Sequence, residues 1–132
     1  MASIFTRIVN GEIPCHKIAE TENYLAFLDV RPQSFGHTLC ITKEEIDYIF
    51  DVEDELYAGL WLFSKIVAKA VKKVVPCKRI SVVVIGDEVR HTHVHLIPFN
   101  SLEDVRFSGK AKVTVSPEDM TALAAKIAAE VS

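Results

Sequence analysis

His91, His93 and His95 occupy alternate positions of the run HTHVHLIP and account for three of the five histidines in the chain. Imidazole is the side chain whose ordinary pKa lies nearest neutrality, and its neutral form can ligate a metal, attack an electrophile or take a proton. On an extended segment successive side chains point to opposite faces, so the three rings share one face, about 6.5–7 Å apart at each step. Three imidazoles on an apolar sheet face are costly unless they are solvated, hydrogen-bonded or bound to something. Two chemistries fit. His-x-His on a strand matches a zinc geometry that recruits a third histidine or a carboxylate from elsewhere; no H-E-x-x-H motif is present and no cysteine lies near the run. The other is nucleophilic catalysis at phosphorus. A neutral imidazole attacks while its neighbours fix its tautomer, bind phosphate oxygens and protonate a leaving group. His93 alone has a partner on each side, which makes it the natural nucleophile, and close cationic neighbours help keep it neutral. Such an activity would fall below about pH 6 as the row of rings protonates.

The elements that must place these rings are legible in the flanking sequence. Ile4, Phe5, Ile8 and Val9 share a face of a short helix that Asn10-Gly11 stops. Residues 16–30 read as a hairpin with Glu22-Asn23 in its turn, and Gly36 to Thr42 as a third strand behind a loop punctuated by Pro32. Asp51 is the expected N-cap of a long helix carrying Leu56, Leu60, Phe63, Val67, Val71 and Val74 on one face, with acids in its first turn and lysines toward its end. Trp61, Tyr57 and Ala68 form a weaker second stripe, either more core or a subunit interface. Arg79 to Ile85 reads as a buried strand. The strand carrying the histidines follows from Val89 and is expected to end at Pro98, with Val94 and Leu96 turned toward the long helix. Residues 100–112 are ambiguous. Ser116-Pro117-Glu118-Asp119 opens a closing helix whose apolar face is Met120, Leu123, Ala124 and Ile127. The expectation is one α+β domain, residues 1–132, with a mainly antiparallel five-stranded sheet.

The 132 residues carry a net charge of −3 and are 49% hydrophobic. That composition fits a soluble domain able to bury its own core, and it lacks the basic excess of a nucleic-acid groove or a binder of anionic membranes. The apolar run ISVVVIG is too short to span a bilayer. No signal-peptide core precedes it. Cys15, Cys40 and Cys77 are odd in number and widely spaced, which points to free thiols in a reducing compartment. A cytoplasmic location is expected, with no nucleic-acid or membrane partner.

The run HTHVHLIP resembles the H-φ-H-φ-H-φ-φ signature of the histidine triad (HIT) superfamily, where φ is apolar. IFTRIVNGEIP at 4–14, YLAFLDVRP at 24–32, GHTLCITK at 36–43 and GDEVRH immediately before the triad are similar to the family's other blocks, in its order, so that the resemblance covers residues 3–100 and leaves 101–132 as an extension. The pattern is closest to the nucleotide phosphoramidase-like hydrolases. The resemblance implies a HIT-like fold whose homodimer joins two five-stranded sheets into one of ten strands. It implies a purine nucleotide or nucleotide conjugate as substrate, cleaved through a nucleotidyl-histidine intermediate to release the nucleoside monophosphate. His93 would be the nucleophile, His95 would contact phosphate and support it, and His91 and His37 would complete the polar cluster. Asp29 matches the acid that holds the ribose hydroxyls, a role suited to a carboxylate, although Asp also forms turns before a proline. Ile4, Phe5, Ile8, Phe27 and Val30 match the walls of the base pocket, and each also reads as ordinary core.

Three departures qualify the resemblance. Thr92 is polar where an apolar residue is usual. Asp87 stands where the family often places a phosphate-contacting glutamine, and Glu88 where some members have a hydroxyl, so these acids lie near the phosphate, which a carboxylate facing it would repel; the loop from Val84 to Val89 is also short. Ser3 and Thr6 occupy the positions of a cysteine pair that binds structural zinc in some members, so neither a metal nor another cofactor is expected. Two alternatives remain: a non-catalytic module binding nucleotides or protein partners, and a metal-dependent hydrolase with His91, His93 and His95 as ligands.

Overall fold

Ser3 caps the first helix, α1 (Ile4–Val9), by accepting the main-chain N–H of Thr6 at 3.0 Å, and the chain then enters a five-stranded sheet. The computed structural model describes residues 2–108 and 110–132; Met1 and Gly109, both within the expected 1–132 domain, lie outside the described residues. The strands are β1 (Lys17–Glu20), β2 (Tyr24–Leu28), β3 (Thr38–Thr42), β4 (Arg79–Val83) and β5 (His93–Phe99). They lie in the order β1-β2-β3-β5-β4, and every neighbouring pair is antiparallel. The long helix α2 (Asp54–Val74) crosses between β3 and β4, and α3 (Pro117–Glu130) closes the chain.

The period-two alternation gives the sheet two unlike faces. Ala26, Leu28, Cys40, Val94 and Leu96 point to the helical side, where they pack with Leu60, Phe63, Val67 and Val71 of α2 and Leu123 and Ile127 of α3. Leu25, Phe27, Leu39 and Ile41 point the other way and meet Phe5 of α1. The register puts His93 opposite Ile41 and His95 opposite Leu39. Because directly opposed residues share a face, the two rings lie on the α1 side, on a floor of buried apolar side chains. Gly36, with φ of 91°, turns the chain into β3 where a Cβ would come within 2.7 Å of Val75 beyond α2, so the loop can approach the helix end only without a side chain.

Several boundaries differ from expectation, and β4, expected to be a buried strand to Ile85, ends at Val83 and lies half-exposed at the sheet edge because β5 covers one side of it alone. Glu53, not Asp51, caps α2, its carboxylate accepting Leu56 N–H at 2.9 Å; Asp51 is spent in a 3-10 turn, Ile49–Asp51. The triad strand begins at His93 rather than Val89, because the N–H and hydroxyl of Thr92 both donate to the Ile46 carbonyl, at 2.7 and 2.6 Å, and hold the chain off the ladder. It also runs through Pro98 to Phe99, pairing with Ile80 and Arg79 of β4. Of the ambiguous residues 100–112, Leu102–Val105 form a 3-10 turn, and the described residues after it are irregular. Among the described residues no helix is long and apolar enough to cross a membrane.

Candidate active site

His93 and His95 sit at the floor of a cavity of about 360 Å³ between α1 and the sheet. Ile4, Phe5, Ile8, Phe27 and Val30 line one end of it, so all five residues expected to wall a base pocket reach the same space. Phe5 is the most committed of them, edge-on to Phe27 at 5.7 Å between centroids and to His93 at 4.9 Å. Val30 is 69% exposed and forms the rim. Asp29, Asp87 and Glu88 also line the cavity. His91 and His37 do not: both rings are buried behind it.

The hydrogen bonds assign each imidazole a tautomer. The main-chain N–H of Gln33 donates to His37 Nδ1 at 2.9 Å, so a neutral His37 carries its proton on Nε2. That nitrogen lies 2.9 Å from His95 Nδ1 and donates to it. His95 therefore carries its proton on Nε2, on the far side of the ring from His37. His93 Nδ1 lies 2.6 Å from the carbonyl oxygen of His91 and must be the donor. Its Nε2 is left with a lone pair. A nucleophilic nitrogen beside an N–H donor is the arrangement that attack at a phosphoryl centre requires.

Burial keeps these rings neutral. Loss of solvation, with the charge of His93 as a second cause, pushes His37 down to about 3; the same two causes, with His37 added, push His95 to about 3. His93 is lowered by burial too, against the pull of the His91 carbonyl. Protonation of His37 and His95 therefore lies far below that of free imidazole, and that of His93 lies below it.

Asp29 takes the turn-forming reading, and its carboxylate also reaches the cavity. One carboxylate oxygen accepts Arg31 N–H at 2.8 Å and shapes the turn before Pro32. The other lies 3.5 Å from His37 Nε2. Burial raises its pKa, opposed by the Arg31 N–H. Glu88 leans toward Arg31, 3.7 Å between charged groups, both exposed.

His91 is positioned through both of its ring nitrogens. Its Nε2 donates to the Thr42 carbonyl at 2.6 Å, and its Nδ1 accepts the Ser3 hydroxyl at 2.7 Å. The Thr6 hydroxyl donates a hydrogen bond to Glu45 at 2.6 Å, and the same carboxylate oxygen accepts Ser3 N–H at 2.7 Å. Ser3 and Thr6 thus offer neutral hydroxyls already committed to His91 and Glu45, a donor set that does not fit zinc, which takes thiolate, imidazole or carboxylate. Asp29, His37 and His95 bring ligand-type atoms within 4.8 Å of one another. The two imidazoles in that group are joined by the hydrogen bond from His37 to His95, which forms a short relay with Asp29 3.5 Å from the donor nitrogen.

Several contributors escaped sequence reasoning. Gln33, buried and bonded to His37 through its main chain, carries no motif signal. Ser3 was legible only as a position where some members carry a zinc cysteine, its capping of α1 and its bond to His91 emerging from the structure, and Glu45 was not legible at all. Phe107, edge-on to His95 at 4.8 Å, comes from the segment whose structure could not be read.

The geometry agrees with comparisons to known proteins. A family model described as the HIT domain matches residues 10–102, more than half of the chain. An adenosine 5′-monophosphoramidase of Schizosaccharomyces pombe is 35% identical over 99% of both chains, and its Saccharomyces cerevisiae counterpart is 37% identical over 74% of this chain and 62% of its own. Among solved structures, a hypothetical histidine triad nucleotide-binding protein of Sulfolobus tokodaii superposes with a TM-score of 0.84 at 28% identity, covering 96% of this chain and 90% of that one.

Proposed function

This chain belongs to the HIT domain family, and on that premise we propose that it hydrolyses purine nucleoside 5′-phosphoramidates or related nucleotidyl compounds through a nucleotidyl-His93 intermediate, without a metal. Likeness over the full chain to a phosphoramidase supports nucleotide hydrolase activity. The observation that carries the finer reading is the pair of tautomers: a lone pair on His93 Nε2 and a proton on His95 Nε2, at the floor of one cavity.

The base lies between Ile4, Phe5, Ile8, Phe27 and Val30, and the ribose hydroxyls donate to Asp29, which accepts from two vicinal hydroxyls at once. His93 Nε2 attacks the α-phosphorus; the bond from phosphorus to the leaving nitrogen breaks, and that nitrogen departs as an amine after taking a proton. His95 is the N–H donor that the relay presents to the phosphate oxygens and the departing group. Positive charge that develops on His93 is stabilised by the His91 carbonyl at its Nδ1. Water then attacks phosphorus, returning a proton to the His95 Nε2 that gave one to the amine; the bond to His93 breaks, and the nucleoside monophosphate leaves.

A homodimer accompanies this reading. β4 is a sheet edge, and Phe50, Leu62, Val82 and Ile85 on or near it are more than half exposed. An unpaired edge beside exposed apolar side chains is what a second copy would cover.

Asp87 and Glu88 on the cavity wall favour a second reading, a non-catalytic nucleotide-binding module, because carboxylates near a phosphate weaken its binding and charge neutralisation. The deciding experiment is AMP release from adenosine 5′-phosphoramidate by chelator-treated protein, beside His93→Ala. Turnover that needs His93 and no metal supports the hydrolase. AMP binding without turnover supports the module, and turnover abolished by the chelator supports the metal-dependent alternative.

A further inference from the structure

The segment beyond the HIT match folds back onto the relay. Phe107 lines the cavity and stands edge-on to two rings, 4.8 Å from the centroid of His95 and 6.4 Å from that of His37. The segment is fastened by Gln33, 2% exposed. Its side-chain carbonyl accepts the N–H and hydroxyl of Ser108 at 3.3 and 3.4 Å, and its amide nitrogen donates to the Lys110 carbonyl at 2.6 Å. Lys112 N–H adds a bond to the Pro32 carbonyl at 2.9 Å. The same Gln33 donates its main-chain N–H to His37 Nδ1, so one residue joins the extension to the start of the relay.

We infer that Phe107 is a positioning residue: latched by Gln33 over the His37–His95 pair, it keeps water from their shared hydrogen bond and so holds the His95 proton on the cavity side. An apolar ring edge cannot compete for either nitrogen, whereas a water molecule in its place could donate to or accept from both. The charged and titratable groups around the pair are Asp29 and Arg31 after β2, Asp87 and Glu88 on the loop before β5, and His93 within β5. From the extension come Arg106, paired with Glu103 at 3.3 Å, Lys112, whose Nζ donates to the Glu103 carbonyl at 2.7 Å, and the exposed Lys110. Phe107 is the apolar member of this ring.

The inference deepens the hydrolase reading and rests on it for its catalytic meaning, but its test does not. In the full chain labelled at imidazole nitrogen, His37 and His95 are followed by NMR from pH 8 to pH 4.5 across Phe107→Leu, Phe107→Val and Phe107→Ala. The expected result is that both rings stay neutral in the parent and in Phe107→Leu, and that their midpoints climb toward the ordinary imidazole value as the side chain is cut back. Gln33→Ala should reproduce the shift. If the parent turns over phosphoramidate, the acid limb of the Phe107→Ala rate profile moves up with the midpoints and kcat at pH 7 falls, on the order of tenfold. Midpoints that stay fixed across the series overturn the inference. A parent without turnover defeats the hydrolase reading alone and leaves the NMR result to decide Phe107.

Discussion

The Nδ1 of His93 donates to the main-chain carbonyl of His91 at 2.6 Å, so the backbone of one triad residue aims the ring of the next. The ring of His91 faces away from the cavity, held by Ser3 and the Thr42 carbonyl. Alternate histidines therefore serve different ends: the first fixes the chain, and the second and third face the cavity.

That division predicts the effect of Ser3→Ala. The hydroxyl both caps α1 and satisfies His91 Nδ1. Losing the cap costs about 1 kcal/mol, and an orphaned buried acceptor costs about 1–3 kcal/mol more. Urea unfolding should show a loss in that range, with KM for a nucleotide substrate raised because α1 carries Ile4, Phe5 and Ile8. Ser3→Thr should restore most of both.

Asp29 is predicted to act on binding. With a carboxylate accepting the ribose hydroxyls, Asp29→Ala should raise KM by about ten- to a hundredfold, the worth of one or two charge-assisted hydrogen bonds. A 2′,3′-dideoxy substrate should narrow the gap between parent and variant. An equal loss on both substrates would assign Asp29 to the turn and to His37 alone.

The depressed imidazoles set the pH response. The unfolded chain takes up protons below the ordinary value of 6.5, which the folded His37 and His95 refuse until about 3. Their share of stability is complete above 6.5 and declines as pH falls toward 3. Denaturation midpoints at pH 8, 6, 5 and 4 should fall in that order across the window. Activity should outlast the free-imidazole limit, persisting at pH 6 while the fold is intact.

Gly59 lies on α2 where the Tyr24 hydroxyl crosses to donate to the Leu56 carbonyl at 2.9 Å, and an added Cβ would overlap that hydroxyl. Helix propensity alone favours Gly59→Ala by about 1 kcal/mol. The steric conflict should reverse the sign, with a net loss of about 1–3 kcal/mol measured by thermal or chemical unfolding. A stabilised variant would show that Tyr24 swings aside freely.

Much of this arrangement was legible in the sequence because it follows period and local chemistry. The alternation in β5 separates His93 and His95 from Val94 and Leu96, Ser116-Pro117 starts α3, and the strand formers around Tyr24 and Thr38 fall where the sheet has them. What escaped depends on contacts distant in sequence. Thr92 leaves the ladder because of Ile46, 46 residues earlier. Gln33 reaches Ser108 and Lys110 across 75 and 77 residues. Phe107 sits in a segment with neither helical nor strand period, where only the tertiary fold decides its place. The depressed pKa values belong to the same class, since burial is not a property of the motif.

The most direct measurement of the central claim is the mass of the protein quenched in alkaline denaturant, where a phosphorus–imidazole bond survives, during turnover of adenosine 5′-phosphoramidate, with the modified residue located by peptide fragmentation under mild conditions. The account predicts a transient adduct of one adenylyl group on His93, absent from His93→Ala. Turnover at the parent rate with no adduct, or an adduct on another residue, would contradict it.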